Sequence, residues 1–273
     1  MEPLIHQPLN HPYLRALRNL DRRVSKTLRD LELISAGDRV LVGVSGGKDS
    51  LTLLDLLALR KRWRPDSYGL VAAHVVDGGC APGCEYAVRL RAHCEELGVP
   101  LRVVENHTVP TETEVSESGK SPCFLCSWRR RKRLLELAQE EDCRLLALGH
   151  HKDDAAQTLL LNLFWQGRHE SMLPRQPLFG GRLTIIRPLY LSDENAIARV
   201  ARIGGLPLHD CRCRWADDSR RETAAQIIAT VRRGGVRDVT TNLVRTVLYP
   251  KKRREEESAM AGRVERPEPE VRS

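Results

Sequence analysis

Apolar positions along the chain recur at two spacings, and the two spacings alternate. Short apolar runs that predict buried strands lie at 40–44, 69–76, 101–105, 144–148 and 183–186. Amphipathic repeats that predict helices lie at about 13–34, 51–62, 85–97, 124–140, 154–164, 192–203 and 218–233. This alternation predicts an α/β fold with a doubly wound parallel sheet of about five strands, an N-terminal helix and a C-terminal helical extension.

Changes in composition divide the chain into three segments. Residues 1–35 form a helical segment without cysteine, residues 36–234 hold the predicted sheet, and residues 235–273 are an extension. Residues 111–121 are rich in Glu, Thr and Ser, which predicts a mobile loop. The chain after Pro250 is charged and nearly free of large apolar side chains, so disorder is predicted from about residue 250.

Composition restricts the compartment and the partners of the protein. The 273 residues include no apolar run long enough for a membrane span and no apparent secretory signal. A cytoplasmic protein is therefore expected, and its eight cysteines are then metal ligands, catalytic groups or core residues rather than disulfides. Cys94 and Cys143, in apolar surroundings, fit the core. The net charge of +8 suits a polyanion such as RNA, although charge alone is weak evidence.

The sequence VGVSGGKDSL at 42–51 carries the strongest chemical signal. A strand, a glycine-rich turn and a helix in this order direct backbone N–H groups and a helix N-terminus at an anion. Gly46 and Gly47 allow close approach of phosphates, and Ser45, Lys48 and Ser50 add donors. The spacing is not that of a Walker A loop. The alternative is a glycine-rich turn without a ligand.

A second motif, GHHKDD at 149–154, follows the fourth predicted strand and opens a helix. The adjacent carboxylates Asp153 and Asp154 suit Mg²⁺ coordination and the orientation of a nucleophile. Taken alone, the motif is better explained by an N-cap with acidic residues that the helix dipole favours.

Cysteine spacing gives the third signal. Cys123 and Cys126 form a C-x-x-C pair just before a helix, and two late cysteines, Cys211 and Cys213, precede the last predicted helix. Zinc ribbons, thioredoxin-like sites and iron–sulfur centres all use such a pair. The basic run at 129–133 indicates phosphate contacts, with a solvated basic face as the alternative. Cys80 and Cys84 could approach a nucleotide pocket or form a second metal site, and they receive no role.

The residues SGGKDS resemble the PP-loop of the ATP pyrophosphatases, which adenylate a carbonyl oxygen and release pyrophosphate. Together with C-x-x-C, GHHKDD and a late cysteine, they resemble the tRNA 2-thiolation enzymes of the tRNA 2-thiocytidine synthetase type. The resemblance implies that three cysteines hold a [4Fe–4S] cluster with one iron open to carry sulfur. Cys123 and Cys126 match the pair, and Cys213, followed at the family's distance by Arg221, fits the third position better than Cys211.

The resemblance implies a mechanism. The C2 carbonyl oxygen of a tRNA pyrimidine, cytidine by expectation, attacks the α-phosphate of ATP; sulfur then displaces AMP. Arg130 would stabilise the developing charge, and Asp154 would act as the acid/base or orienting group. Residues expected to hold ATP and Mg²⁺ are Val44, Ser45, Gly46, Gly47, Lys48, Asp49, Ser50, Ala73, His74, Gly149 and Asp153. The late cysteines are separated by one residue instead of the usual two, which leaves uridine open as the substrate nucleoside.

Expected partners are tRNA and a sulfur donor such as a cysteine desulfurase, with a homodimer as a possible state and no membrane. A tRNA lysidine synthetase-like PP-loop ligase is one alternative, but it has no need for three thiolates. A non-catalytic sensor of ATP or of a cluster is the other, and it has no need for the second carboxylate motif.

Overall fold

The computed structural model describes residues 6–64, 67–76, 83–105, 110–209 and 219–249 of the chain. The strands in these ranges are β1 (Arg39–Gly43), β2 (Gly69–Val76), β3 (Leu101–Glu105), β4 (Leu145–Ala147), β5 (Arg175–Leu178) and β6 (Leu183–Ile186). The helices are α1 (Pro12–Asp30), α2 (Lys48–Arg60), α3 (Glu85–Leu97), α4 (Glu112–Ser118), α5 (Pro122–Glu140), α6 (Lys152–Gln166), α7 (Glu194–Gly204), α8 (Ser219–Arg233) and α9 (Val239–Leu248).

The strands form one sheet in the order β3-β2-β1-β4-β6-β5. Strands β3, β2, β1, β4 and β6 are parallel, whereas β5 runs antiparallel to β6. The predicted doubly wound parallel sheet is confirmed, and β5 is a further strand that the apolar pattern did not predict. Its sequence, Arg-Gln-Pro-Leu, is half-exposed and contains a proline that cannot donate to a ladder. Such a strand fits only the edge of a sheet.

Helices cover both faces of the sheet, and β1 shows why. Its Val40 and Val42 side chains enter the core beneath α1, α2, α3 and α7. Its Leu41 side chain enters the opposite core, where Leu134 and Leu137 of α5 pack against the sheet. Because successive side chains point to opposite faces, a strand covered on both sides is apolar throughout. The chain order reverses between β1 and β4, and ligands of such sheets bind at the carboxyl ends of the strands there.

A third apolar cluster joins α6, α8 and α9 beyond the end of the sheet. Ala156 of α6, Ile228 of α8 and Val244 of α9 are buried together with the ring of Tyr190. Helix α9 lies in the predicted C-terminal extension, beyond the last amphipathic repeat at 218–233. Residues 250–273, for which disorder was predicted, lie outside the described residues.

Two local predictions are wrong. The segment predicted as a mobile loop contains α4, because Thr111 and Glu114 form a capping box: the Thr111 hydroxyl accepts from the Glu114 N–H, and the Glu114 carboxylate accepts from the Thr111 N–H. Helix α7 begins at Glu194, two residues after the start of the predicted range 192–203, and its N-cap is Asp193. None of the helices in the described ranges combines the length and the apolar character that a membrane span requires.

Candidate active site

The glycine-rich turn between β1 and α2 is closed by its own hydroxyl groups. The Ser45 N–H donates to Ser50 Oγ over 3.1 Å, and Ser50 Oγ donates to the Gly47 carbonyl over 3.0 Å. Gly46 adopts a φ of +90°, and a Cβ there would lie 2.8 Å from His209 Cβ, so only glycine fits. Gly47 is the N-cap of α2, whose first N–H groups have no partner inside the helix. This turn is therefore built as an anion cradle.

The second motif lies directly on the first turn of α2. A Cβ on Gly149 would meet the Ser50 nitrogen at 2.8 Å and the Asp49 carbonyl carbon at 2.9 Å. Any side chain at position 149 would therefore push the two motifs apart. Because Gly149 follows β4, this contact places both motifs at the carboxyl ends of β1 and β4, where the chain order reverses.

A cavity of about 250 Å³ opens between these two motifs and α5. Its lining residues are Gly43, Val44, Ser45, Asp49, Ser50, Val75, Ser127, Arg130, Arg131, Leu134, Leu148, Gly149, His150 and Asp154. The structure thus brings together the glycine-rich turn, one carboxylate of GHHKDD and the basic residues of the cysteine helix, as the three sequence signals require.

Two carboxylates reach this cavity. Asp49 Oδ1 is buried and has no hydrogen-bond partner, whereas Asp49 Oδ2 accepts from Lys48 Nζ over 3.3 Å. Burial raises the pKa of Asp49, the Lys48 and His151 charges oppose that rise, and the nearby Asp154 adds to it. Asp154 Oδ2 accepts from the His151 N–H over 2.9 Å. An unpaired carboxylate oxygen beside a second carboxylate is the donor set that Mg²⁺ takes.

Asp153 is buried outside this cavity. Its Oδ1 accepts from Arg232 Nη2 over 2.6 Å, and its Oδ2 accepts from the Glu194 N–H over 3.2 Å. Asp153 thus ties α6 to α7 and α8, and both of its oxygens are engaged. Of the two adjacent carboxylates, the structure brings only Asp154 to the cavity.

Lys48 extends from the turn toward α7. Its Nζ lies 3.0 Å from Glu194 Oε1 and 3.3 Å from Asp49 Oδ2. Burial lowers the pKa of Lys48, but the hydrogen bonds and charges of Glu194 and Asp49 outweigh that effect and raise it overall. The ammonium group is therefore charged and held beside the first turn of α2.

Positively charged side chains lie close to His150, which also lines the cavity. Burial, and then the Arg187 charge, lower the pKa of His150 to about 4, so the imidazole is neutral at physiological pH. Burial and the Arg131 charge lower the pKa of Arg187 to about 10, which still leaves the guanidinium protonated. Sequence reasoning missed Arg187. The feature that could have identified it is its position as a charged residue directly after the buried strand β6.

The basic run of α5 divides between the cavity and neighbouring acids. Arg130 and Arg131 line the cavity. Arg129 Nη2 donates to Glu114 Oε1 of α4 over 2.5 Å, and this bond lowers the pKa of Glu114 to about 2. Arg133 Nη1 lies 2.7 Å from a Glu140 oxygen. The basic side chains of the run therefore point in different directions around the helix.

The cysteine pair occupies the first turn of α5. Cys123 and Cys126 are half-buried on one side of the helix, and Arg130 Nη2 donates to Cys126 Sγ over 3.6 Å. Cys211 and the predicted third ligand Cys213 lie outside the described residues. In the part of the chain that the structure describes, no group of three His, Cys, Asp or Glu side chains is arranged to hold a metal ion.

The chain returns to the glycine-rich turn just before the late cysteines. The His209 N–H donates to the Gly46 carbonyl over 3.0 Å, and the His209 ring stacks on Tyr86 with centroids 4.5 Å apart. Tyr86 in turn meets the edge of His74 at 5.1 Å. The segment of Cys211 and Cys213 is therefore entered from a residue that is bonded to the turn, a contact that the sequence did not reveal.

Ala73 and His74, the expected adenine neighbours, are buried in β2. The Ala73 carbonyl accepts from the Val44 N–H over 2.8 Å, and His74 Nδ1 lies 2.8 Å from the Val44 carbonyl oxygen. Burial lowers the pKa of His74, and the hydrogen bond to Val44 opposes this shift. Neither residue lines the cavity, whereas Val75 does.

Comparisons with known proteins agree with this geometry. A family model described as a PP-loop domain matches residues 16–231. A tRNA-cytidine(32) 2-sulfurtransferase of Anaeromyxobacter dehalogenans is 37% identical over 78% of this chain and 72% of that protein. A protein of the same name from Klebsiella pneumoniae is 36% identical over 77% of this chain and 67% of its own length.

Among solved structures, the U34-tRNA thiolase NcsA from Methanococcus maripaludis with its [4Fe-4S] cluster has the same fold. The TM-score is 0.68 at 24% sequence identity, and the match covers 92% of this chain and 81% of that one. The resemblance predicted from SGGKDS and GHHKDD is confirmed by the family model and by the sequence relatives. The chain belongs to the PP-loop family.

Proposed function

We propose that the protein is an ATP-dependent tRNA sulfurtransferase that replaces the C2 oxygen of a tRNA cytidine with sulfur. The observation that carries this proposal is the contact of Gly149 with Asp49 and Ser50. It makes the PP-loop and Asp154 face one cavity, and the helix of Cys123 and Cys126 forms the opposite wall. The relatives from A. dehalogenans and K. pneumoniae, whose names state this reaction on cytidine 32, support the choice of nucleoside.

ATP binding rests on the PP-loop. The triphosphate lies against the N–H groups from Ser45 to Ser50, where the φ of Gly46 and the open N-terminus of α2 favour an anion. Lys48 supplies a fixed positive charge. The unpaired Oδ1 of Asp49, with Asp154 beside it, would hold Mg²⁺.

The residues that line the cavity are suited to an adenylation reaction. The C2 carbonyl oxygen of the nucleobase attacks the α-phosphorus of ATP, a P–O bond forms, and the bond to pyrophosphate breaks. Arg130 and Arg131 line the same cavity as Asp49, so their guanidinium groups offset the negative charge that develops on the phosphoryl oxygens. His150, which is neutral, and Asp154 also line the cavity and are available to orient the nucleobase. The oxygen of C2 thereby becomes part of a leaving group.

Cys123 and Cys126, with Cys213 as third ligand, would hold the iron–sulfur cluster. Both described thiols are on the helix that walls the cavity, and His209 anchors the chain before Cys213 to Gly46. When bound, an iron–sulfur cluster on these thiolates would supply the sulfur for the substitution. Sulfur then forms a bond to C2 as the bond to the AMP oxygen breaks. Arg130 donates to Cys126 Sγ and so links the thiol to the adenylation site.

Several finer features belong to the proposal alone. We propose that sulfur comes from a donor such as a cysteine desulfurase, that the protein acts in the cytoplasm where tRNA is present, and that it acts as a homodimer. The nucleotide-binding roles of Val44 and Gly149 and the adenine contact of Ala73 and His74 belong here as well.

The decisive experiment uses protein purified and kept without oxygen. It is incubated with unmodified tRNA, ATP, Mg²⁺ and sulfide, and the nucleosides are analysed by mass spectrometry. We expect 2-thiocytidine that depends on ATP, and about four irons per chain. Iron-loaded protein that produces no thiolated nucleoside with any tRNA would overturn the proposal.

Cysteine variants give the matched control. Cys126→Ala should lose iron and 2-thiocytidine together, because a thiolate ligand is missing. Cys143→Ala removes a thiol that is 3% exposed and belongs to the apolar cluster between α5 and the sheet. It should keep both iron and activity, at some cost in stability. Equal iron in the two variants would exclude Cys126 as a ligand.

A further inference from the structure

Helix α5 exposes two large aromatic side chains near the cavity. Phe124 is 49% exposed and Trp128 is 51% exposed. They lie four residues apart, which places them on the same face of the helix, one turn above the other. In a chain with only 4% aromatic residues, two exposed rings in successive turns of one helix call for a partner.

A lysine ammonium group lies over each of the two rings. Lys120 Nζ lies 5.2 Å from the Phe124 ring centroid, and Lys132 Nζ lies 5.9 Å from the Trp128 ring centroid. Both distances fall within the range in which a cation is attracted to an aromatic face. The face therefore alternates positive charge with flat apolar surface along the helix axis.

The aromatic face borders the cavity. Successive helix residues are about 100° apart around the axis, so the cavity-lining Ser127, Arg130 and Leu134 form one face. Phe124 and Trp128 lie next to that face on the side of Arg131, which itself lines the cavity. A chain that inserts one base into the cavity would therefore pass over the two rings.

We propose that Phe124 and Trp128 form a stacking platform for the unpaired RNA bases that flank the target nucleotide, with Lys120 and Lys132 on the adjoining phosphates. The identity of the RNA as tRNA rests on the proposed function, whereas the platform needs only an unpaired RNA strand. The C2 atom of a base can enter an enclosed cavity only when the base is not stacked within a duplex. Unpaired RNA is commonly bound by stacking on aromatic side chains beside basic groups.

Charge and area favour RNA over a protein partner. Two aromatic side chains bury about 150–250 Å² each, far below the roughly 1,000 Å² that a stable protein interface needs. The cations at the rings and Arg131 beside them match a polyanion. The alternative occupant of this surface is a second protein, and the experiment below distinguishes RNA from protein.

The experiment measures binding of an RNA hairpin with a cytidine-containing loop and, separately, of a blunt RNA duplex. Trp128→Ala and Phe124→Ala should each weaken hairpin binding roughly 5- to 100-fold, the effect of losing one stacked base. Duplex binding should stay unchanged, and Trp128→Phe should restore most of the hairpin affinity. Phe164→Ala, at a ring that is 60% exposed at the far end of α6, is the matched control and should bind like the wild type.

Salt dependence separates the rings from the lysines. Lys120→Gln and Lys132→Gln should lower the slope of affinity against salt, because each phosphate contact releases counterions. The alanine variants of Phe124 and Trp128 should leave that slope unchanged, and quenching of tryptophan fluorescence by the hairpin should be reduced in Trp128→Phe. All variants should melt like the wild type.

The outcomes distinguish this inference from the proposed function. Hairpin affinity that is unchanged in the Phe124→Ala, Trp128→Ala double variant would overturn the platform, even if thiolation occurs. Loss of self-association or of binding to a protein donor, with unchanged RNA affinity, would also overturn it. If the wild-type protein binds the hairpin through these rings but forms no 2-thiocytidine, the platform stands and the proposed function fails.

Discussion

Helix α2 carries two aspartates with opposite surroundings. Asp55, in the middle of the helix, is fully buried, and both of its oxygens are engaged: Tyr13 Oη donates over 2.5 Å, and His93 Nε2 lies 2.7 Å away. Asp49, in the first turn, lines the cavity, and its buried Oδ1 has no hydrogen-bond partner. The first carboxylate joins α1, α2 and α3, whereas the second keeps one oxygen that makes no hydrogen bond within the protein.

The difference shows how a buried carboxylate can be assigned to architecture or to chemistry. A buried polar group without a partner costs free energy, so a fold retains one where a ligand supplies the missing contact. Asp55 has its contacts within the protein and raises the pKa values of its neighbours. Desolvation raises the pKa of Tyr13 and Asp55 raises it further; at His93 the Asp55 charge and hydrogen bond outweigh the opposing effect of burial. Substitutions at the two positions should therefore change different properties.

The largest effect is expected at Asp49. Asp49→Asn should lower pyrophosphate release at least about a hundredfold, the scale for loss of one preorganised electrostatic group in an active site. Its stability should equal or exceed that of the wild type, because burial raises the pKa of this carboxyl and the substitution removes a disfavoured charge. Initial rates and thermal melting of the same preparation test both statements. An active Asp49→Asn, or one that is inactive because it unfolds, would contradict the comparison.

At Asp55 the effect should appear in stability. Asp55→Ala leaves the buried His93 and Tyr13 groups without their partner, which should reduce the free energy of unfolding by about 3–5 kcal/mol. Urea denaturation measures this loss, and Asp49→Ala is the matched control with a loss below about 1 kcal/mol. Equal losses at the two positions would show that burial alone, and not satisfaction of the oxygens, decides the cost.

A smaller effect is expected where the two motifs meet. Gly149→Ala adds a methyl group against the Ser50 backbone, and overpacking of this kind costs about 1–3 kcal/mol. It should also weaken ATP binding, since α2 must shift away from β4. Gly234→Ala, whose Cβ would meet no atom closer than 3.4 Å, should keep wild-type ATP affinity by titration calorimetry. Wild-type affinity in Gly149→Ala would mean that the contact does not shape the site.

The smallest effect concerns pH. The pKa of His93 is raised in the folded protein, so the stabilisation from its pair with Asp55 is complete below the unfolded histidine pKa of about 6.5. It is lost as pH rises above 6.5 through the folded pKa. Unfolding free energies between about pH 6 and pH 9 should therefore fall more steeply for the wild type than for His93→Gln. Parallel curves would exclude the charged pair.

The same contrast explains what the sequence could predict. The strands from β1 to β4 and β6, and the PP-loop itself, follow from local periodicity and turn chemistry. Strand β5 was not predicted because its four residues, Arg-Gln-Pro-Leu, include a single apolar side chain besides the proline and so show no apolar pattern. Helix α4 escaped because its stability comes from the capping box of Thr111 rather than from an apolar face.

The roles of site residues that depend on contacts with residues distant in sequence could not be predicted with the same success. Asp153 and Asp154 are adjacent in sequence, and helix rotation of about 100° per residue sends only Asp154 to the cavity. The pairing of Lys48 with Glu194 joins residues far apart in sequence. The same is true of the contact of Gly46 with His209, so neither pairing leaves a local signal.

The central claim is that the cavity at the ends of β1 and β4 adenylates its substrate. It is tested most directly by identifying the nucleotide products when the wild-type protein is incubated with ATP and unmodified tRNA. The account predicts AMP and pyrophosphate in equal amounts, formed in proportion to thiolated nucleoside and absent without tRNA. Formation of ADP and phosphate instead would contradict it.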